Sequence, residues 1–271
     1  MEKARDFILK IFKILQKPEM RILPGHLAFF LVMTIIPLVA LITTIAAALS
    51  ISTETIRQAI MTYAPSKVAT VLNSVISGEG INFNIIVFYS SAFLLASNGT
   101  YSMINSSNEI YKVSSKSILE RRAKAVMMTF ILVGLFLFLL IVPLFGGTIF
   151  DILSVVIENQ KLLMVIQKIL VVMKYPIILL FLFINIKLMY VIAPDEEIPS
   201  ASANNGAIFT TIGWVLATEI FAFYIETCSK YDIFYGSISN ILVLILWVYL
   251  LSYIYVLGMV INASNYRKEL E

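Results

Sequence analysis

Six stretches of this chain, 27–50, 83–105, 125–146, 169–193, 206–227 and 237–262, are predominantly apolar. Each reaches the roughly 20 residues that a helix needs to cross the hydrocarbon core of a bilayer. The pattern therefore predicts an all-α polytopic membrane protein with six transmembrane helices. Pro37 lies in the middle of the first stretch and predicts a kink there. The second stretch is more polar, with Ser90, Ser91, Ser97, Asn98, Thr100 and Ser102, groups that face other helices or water rather than acyl chains. The fourth is interrupted by Lys174, Pro176 and Lys187, and the fifth carries Glu219 and Glu226.

Between these stretches the pattern changes. Residues 1–26 mix basic residues with Phe7, Ile8, Ile11, Phe12, Ile14 and Leu15 near helical spacing, which predicts an amphipathic helix on the membrane surface. Residues 51–80 predict two short amphipathic helices broken at Ala64-Pro65-Ser66. Residues 106–124 read as a polar linker, 147–168 as a connection with an amphipathic segment, and 194–205 as an acidic turn.

Composition sharpens the class. Of 271 residues, 59% are hydrophobic and 14% charged, against roughly 25% charged in an ordinary soluble domain. Six spans leave no room for a separate soluble domain, so residues 1–271 read as one membrane domain. A net charge of +3 is too small to argue for nucleic acid. The one cysteine, Cys228, excludes an intrachain disulfide or a cysteine-based zinc site, and the one histidine, His26, excludes any site needing two. Placement of Lys and Arg gives orientation: segments on the side of the N-terminus hold thirteen and those on the opposite side five. That excess predicts both termini in the cytoplasm.

Several pieces of the chain, in order, carry a resemblance. They are Leu27-Ala28-Phe29-Phe30 with Ile36-Pro37, then Asn105 with Ile110-Tyr111-Lys112-Val113. Met189-Tyr190-Val191-Ile192-Ala193-Pro194 closes the fourth span and Gly206-Ala207 opens the fifth. Phe223-Tyr224, Tyr235-Gly236-Ser237, Leu246-Trp247-Val248-Tyr249-Leu250 and Leu257-Gly258 complete the set. The sequence resembles the YihY/BrkB family of bacterial inner-membrane proteins, once labelled ribonuclease BN, over most of its length. It departs from that pattern at Asp195, where an Asn usually follows the Pro, and at His26, where Gln or another polar residue is frequent. The resemblance implies six helices, both termini in the cytoplasm and no established activity, members being described as of unknown or transporter-like function.

The residues do not support the ribonuclease label. Two-metal phosphodiester hydrolysis needs clustered ligands, and the four aspartates, Asp6, Asp151, Asp195 and Asp232, are scattered. No GxxxxGK[ST] loop is present, so no ATP site is expected. No catalytic residue, metal or cofactor is expected.

The candidate chemistry lies in polar groups within the spans. Counting about 1.5 Å per residue from the cytoplasmic end puts Glu219, Tyr249 and Ser91 all near 20 Å. Lys187, Asn98 and Asn185 share an inner level at about 9–12 Å, and Lys174 and Glu226 lie near about 28–30 Å. The first six form a candidate polar cavity and the last two a candidate ion pair. Blander readings stand beside these. Glu219 is either a cavity residue or a protonated structural acid, Lys174 and Lys187 also read as snorkelling lysines, and Glu226 also reads as an interfacial residue. The span-two polar groups also read as packing contacts, and the tyrosines as packing or belt residues. His26 reads as interfacial. The basic run Lys112–Lys124 follows from orientation alone, or binds anionic lipid headgroups. The expected function is ATP-independent transport or translocation of a small or amphipathic solute. A non-transporting scaffold of the cell envelope is the alternative. The expected partners are membrane lipids and that solute, with no nucleic acid and the oligomeric state open.

Overall fold

The computed structural model describes residues 18–48, 52–76, 85–134, 137, 160–227 and 235–270. Among these the chain is helical, without a strand. The helices are α1 (Pro18–Ala48), α2 (Thr53–Tyr63), α3 (Ser66–Ile76), α4 (Ile85–Tyr111), α5 (118–134), α6 (Gln160–Ile192), α7 (Asn204–Thr227) and α8 (Ser239–Leu270). A single 3-10 turn, Gly236–Ile238, precedes α8. Three of them, α6, α7 and α8, hold segments long and apolar enough to cross a membrane. Helix α1 joins them if its two arms count as one span; they meet at 43° where Pro37 interrupts the helix.

Several boundaries differ from the sequence reading. Residues 18–26, expected to belong to a separate surface helix, run without a break into the first long helix, which is helical from Pro18 to Ala48. The residues 106–124 are not one linker. Residues 106–111 continue α4, 118–124 open α5, and only 112–117 form the connection. Helix α6 runs unbroken from Gln160 through Lys168 to Ile192, so part of the expected connection belongs to the fourth long helix. The two short helices are where residues 51–80 place them. Ser52 caps α2 by accepting the Thr55 N–H at 3.2 Å, and Ala64 is held extended (φ −104°, ψ 149°) by the proline that follows it. Residues 1–17, expected as part of a surface helix, residues 138–159 with Pro143, and residues 228–234, expected as part of a short loop, lie outside the described residues.

The long helices alternate in direction. Met20 near the start of α1 shares a hydrophobic cluster with Tyr111 at the end of α4, Ala193 after α6, Ala203 before α7 and Ala263 late in α8. At the other end, Val68 and Leu72 of α3 pack with Ile225 late in α7 and Val243 and Leu244 early in α8. Helix α1 lies against α4 and α8, and α7 bridges α6 and α8. Close approach sets two of these crossings. A Cβ on Gly99 of α4 would fall 2.9 Å from Thr34 Oγ1 of α1. One on Gly258 of α8 would collide with Thr210 Oγ1 and the Tyr190 hydroxyl. Small residues let backbones meet in lipid, where no hydrophobic force drives helices together. Here Tyr190, fully buried, donates to the Tyr255 carbonyl at 2.7 Å and accepts from Thr210 Oγ1 at 2.6 Å. The Gly206 N–H, an orphan donor of the first turn of α7, is satisfied by Asn262 Oδ1 at 2.6 Å. Trp214 Nε1 donates to the Leu251 carbonyl at 2.9 Å, tying α7 to α8 again.

Candidate functional site: a polar recess where three helices end

In the second half of α4, Asn98, Tyr101, Asn105, Asn108 and Glu109 recur at steps of three and four, so they share one face, and Lys112 follows just past the helix end. The face runs for about 17 Å at 1.5 Å per residue. Two arginines of α5 cover it. Arg122 donates from Nη1 to Asn98 Oδ1 at 2.8 Å and from Nη2 to the Leu94 carbonyl at 3.0 Å. Arg121 donates from Nη1 to Asn105 Oδ1 at 2.6 Å, and its guanidinium lies 5.5 Å from the Tyr101 ring centroid. Arginine suits this place because a planar guanidinium can bond amides and stack on a ring at once.

The arginines reach α4 because the connection between the helices is short and tied at both ends. At the end of α4 the Val113 N–H donates to the Asn108 carbonyl at 3.1 Å. Lys112 therefore occupies the left-handed position (φ 58°) that usually holds glycine. Helix α5 starts with a capping box. The Ser117 N–H donates to Glu120 Oε2 at 3.0 Å, and the Glu120 N–H donates to Ser117 Oγ at 3.3 Å. The Ser117 donors also hold the Glu120 carboxyl below the usual carboxylate range.

Asp195, just after α6, pins this connection to the rest of the bundle. Its side chain is fully enclosed. Oδ2 accepts from Asn108 Nδ2 at 2.7 Å and from the Lys116 N–H at 3.1 Å. Oδ1 accepts from Lys124 Nζ at 3.2 Å. In return the Asp195 N–H donates to Asn108 Oδ1 at 2.9 Å, and Lys124 also donates to the carbonyls of Ala193 and Pro194. Burial disfavours the Asp195 carboxylate, but the Lys116 N–H, the Asn108 amide and the Lys124 ammonium outweigh it and leave its pKa below the ordinary value. For Lys124 burial wins, and its pKa falls despite the attraction of Asp195. Tyr266 of α8 donates to Glu196 Oε1 at 3.3 Å, so the ends of α4, α6 and α8 meet here.

Between α4 and its connection lies an open recess of about 690 Å³, lined by Tyr101, Asn105, Glu109, Lys112, Ser115 and Arg121 among others. It presents two cations, one carboxylate and several amide and hydroxyl groups. Elsewhere round α4, Ser97, Thr100, Ser102, Ser106 and Ser107 are buried. Thr100 Oγ1 donates to the Ala125 carbonyl at 2.8 Å, and Ser102 Oγ pairs with His26 Nδ1 at 3.2 Å. Ser106 Oγ, Ser107 Oγ and the Tyr111 hydroxyl are buried with no partner among the described residues.

The structure distributes the residues singled out from sequence rather than gathering them. Asn98 belongs to the face just described. Asn185 is buried and Lys187 half-buried on α6. Tyr249 is 43% exposed and sits 6.2 Å from Tyr253, centroid to centroid. Ser91 is exposed. Glu219 is exposed too, on the strip of α7 that carries the exposed Leu216, Ile220 and Phe223, and among the described residues it has no hydrogen-bond or ion-pair partner. Its neighbour Thr218 faces α8 instead, accepting from Trp247 Nε1 at 3.2 Å. One residue is about 100° of helix rotation, enough to turn Glu219 outward. Glu226 is exposed, and the Lys174 side chain lies outside the described residues. Sequence reasoning missed Tyr101, Asn105, Asn108, Arg121 and Asp195 as one site. The steps of three and four from Asn98 to Glu109, and the Ser117-to-Glu120 box, were the available signals.

No solved structure matches the chain. Over 272 aligned residues it is 29% identical to the putative ribonuclease-like protein YfkH of Bacillus subtilis, covering 97% of this chain and 96% of that protein. It is 30% identical over 96 residues to a UPF0761 membrane protein of Idiomarina loihiensis, covering 35% and 33% of the two chains. A UPF0761 membrane protein of Nitrosospira multiformis is 36% identical over 75 residues, 28% of this chain and 18% of that one. The family model described as virulence factor BrkB matches residues 11–271. The apolar helices, the alternating bundle and that match lead to one conclusion: the chain is a membrane protein belonging to the virulence factor BrkB family.

Proposed function

We propose that this protein is a six-span, ATP-independent transporter or translocation protein of the bacterial inner membrane, with both termini in the cytoplasm, acting on a small or amphipathic solute. One observation carries the reading. At the same end of α4 as the recess, the buried hydroxyls of Ser106, Ser107 and Tyr111 lack partners among the described residues. A buried polar group without a partner costs about 1–3 kcal/mol, so such a row is expected to hold water or a polar solute. By the charge count the recess faces the cytoplasm. The ribonuclease-like name belongs to the relative. Here no catalytic role is proposed, and among the described residues no three His, Cys, Asp or Glu side chains cluster to hold a metal.

The test is solute flux in proteoliposomes against empty liposomes, with Asn105→Leu and Ser107→Leu variants. Flux that depends on the protein and falls in both variants supports transport. Absence of flux across a panel of metabolites and lipids favours the scaffold reading. The interlock of Tyr190, Thr210, Gly206 and Gly258 favours that second reading specifically, because it holds α6, α7 and α8 with no room to move.

A further inference from the structure

We infer that the recess at the end of α4 is a phospholipid head-group site. In it a phosphodiester lies on Arg121 and Lys112, and an amine or hydroxyl donor of the head group reaches Glu109. The charges fit such a ligand: two cations beside one carboxylate match a phosphate that carries its own hydrogen-bond donor a few bonds away. The donors fit as well. Arg121 spends Nη1 on Asn105, while its Nε is buried with no partner among the described residues. Tyr101 under the guanidinium and the tied connection hold the donors in place before a ligand arrives.

Lys112 gives a second, independent argument. A residue other than glycine in the left-handed region is strained, and such strain concentrates at functional positions. Glycine here would relax the turn but would remove the ammonium from the wall of the recess.

The source of the phosphate is a lipid because of what lies beside the recess. Ile118 and Leu119, just before Arg121, are 72% and 80% exposed. Leu119, Ala123, Met127 and Phe130 form one exposed stripe along α5, and Phe130 meets Phe93 of α4 at 4.3 Å between centroids. The stripe runs on roughly the opposite face of α5 from Arg121, but Ile118 lies on the Arg121 side and gives the recess an apolar rim that acyl chains would cover and a soluble phosphate ester would not need.

Binding of a head group deepens the transport reading by naming a ligand for the same recess, and depends on that reading only for movement of the bound lipid. The test is lipid retention by the full-length protein, followed by native mass spectrometry and melting temperature in detergent. Phosphatidylethanolamine, phosphatidylglycerol and phosphatidylcholine are the probes. The first two should be retained and raise the melting temperature, and phosphatidylcholine, whose trimethylammonium offers no N–H donor, should not. Lys112→Gly should weaken retention by about tenfold or more, the scale of a lost charge-assisted hydrogen bond, while leaving the unliganded melting temperature unchanged or higher. Glu109→Gln should abolish the preference over phosphatidylcholine without abolishing binding. Equal retention of all three lipids, or retention unaffected by Lys112→Gly and Glu109→Gln, overturns the site. Displacement by glycerophosphoethanolamine at concentrations matching the lipid overturns the lipid assignment. Retention without flux sinks only the transport reading, and flux without retention sinks only the head-group site.

Discussion

Asp195 shows how much one side chain can hold in this protein. Its two oxygens accept from three groups on α4, its connection and α5, while the residue itself follows α6. Asp195→Ala should strand Lys124 and the Asn108 amide and cost about 2–4 kcal/mol, since losing the partner of an enclosed charge removes more than one hydrogen bond. Thermal unfolding in detergent checks this. The pH dependence has a definite sign. A carboxyl whose folded pKa lies below its unfolded value near about 3.9 stabilises the fold above that value. The contribution is lost as pH falls through the lower, folded pKa. The melting temperature should therefore step down in that acid range for the natural protein but not for Asp195→Ala. Glu219 gives the opposite prediction. Exposed and unpartnered among the described residues, it should tolerate Glu219→Gln with flux and melting temperature unchanged, measured beside the Asn105→Leu variant that should reduce flux. A fall in flux in Glu219→Gln alone would move the pathway from α4 to α7.

Between elements, the tightest joint is α7 on α8. A methyl group at Gly258 meets Thr210, Tyr190 and the Gly206 carbonyl together, and two of these are held by their own hydrogen bonds. Gly258→Ala should therefore cost more than the usual 1–3 kcal/mol or so of overpacking. A steep loss of folded protein in size-exclusion profiles is the expected readout, with Gly134→Ala, where an added Cβ meets no other element within 4 Å among the described residues, as the tolerated control. The proposed Lys174–Glu226 pair links α6 and α7, which run antiparallel from the turn at 193–203. Reversing either charge should reduce folded yield, and reversing both should restore part of it. Purely additive losses would rule the pair out.

For the molecule as a whole, orientation is the first thing to establish. The proposed topology, with both termini in the cytoplasm, rests on thirteen basic residues on one side against five on the other. A cytoplasmic reporter fused after Glu271 should be active, and one fused after Gly80 inactive. Activity at both sites would break the six-span scheme. The ends of α4, α6 and α8 already meet at Asp195 and Glu196, which is the parity that alternating passes require.

Much of this was legible in the chain, because a bilayer reads local composition. Long apolar runs must become helices wherever they end up, so the helical class, the kink at Pro37 and the paired helices α2 and α3 follow from residues near one another. The bounds drawn around residues 106–124 failed because polarity alone does not stop a helix. Ser106, Ser107 and Asn108 stay helical because they are buried against other helices, and the true start of α5 lies in a capping box. Depth counting brought Glu219, Tyr249 and Ser91 to one level, but level says nothing of direction. About 100° of rotation separates Thr218, which meets α8, from Glu219, which faces outward. The recess depends on contacts across long sequence separations: Asn108 with Asp195, Arg121 with Asn105, Lys124 with the turn after α6. Each residue was visible as a polar position, but its partner was not, since only packing of α4, α5 and α6 decides which enclosed charge finds which acceptor.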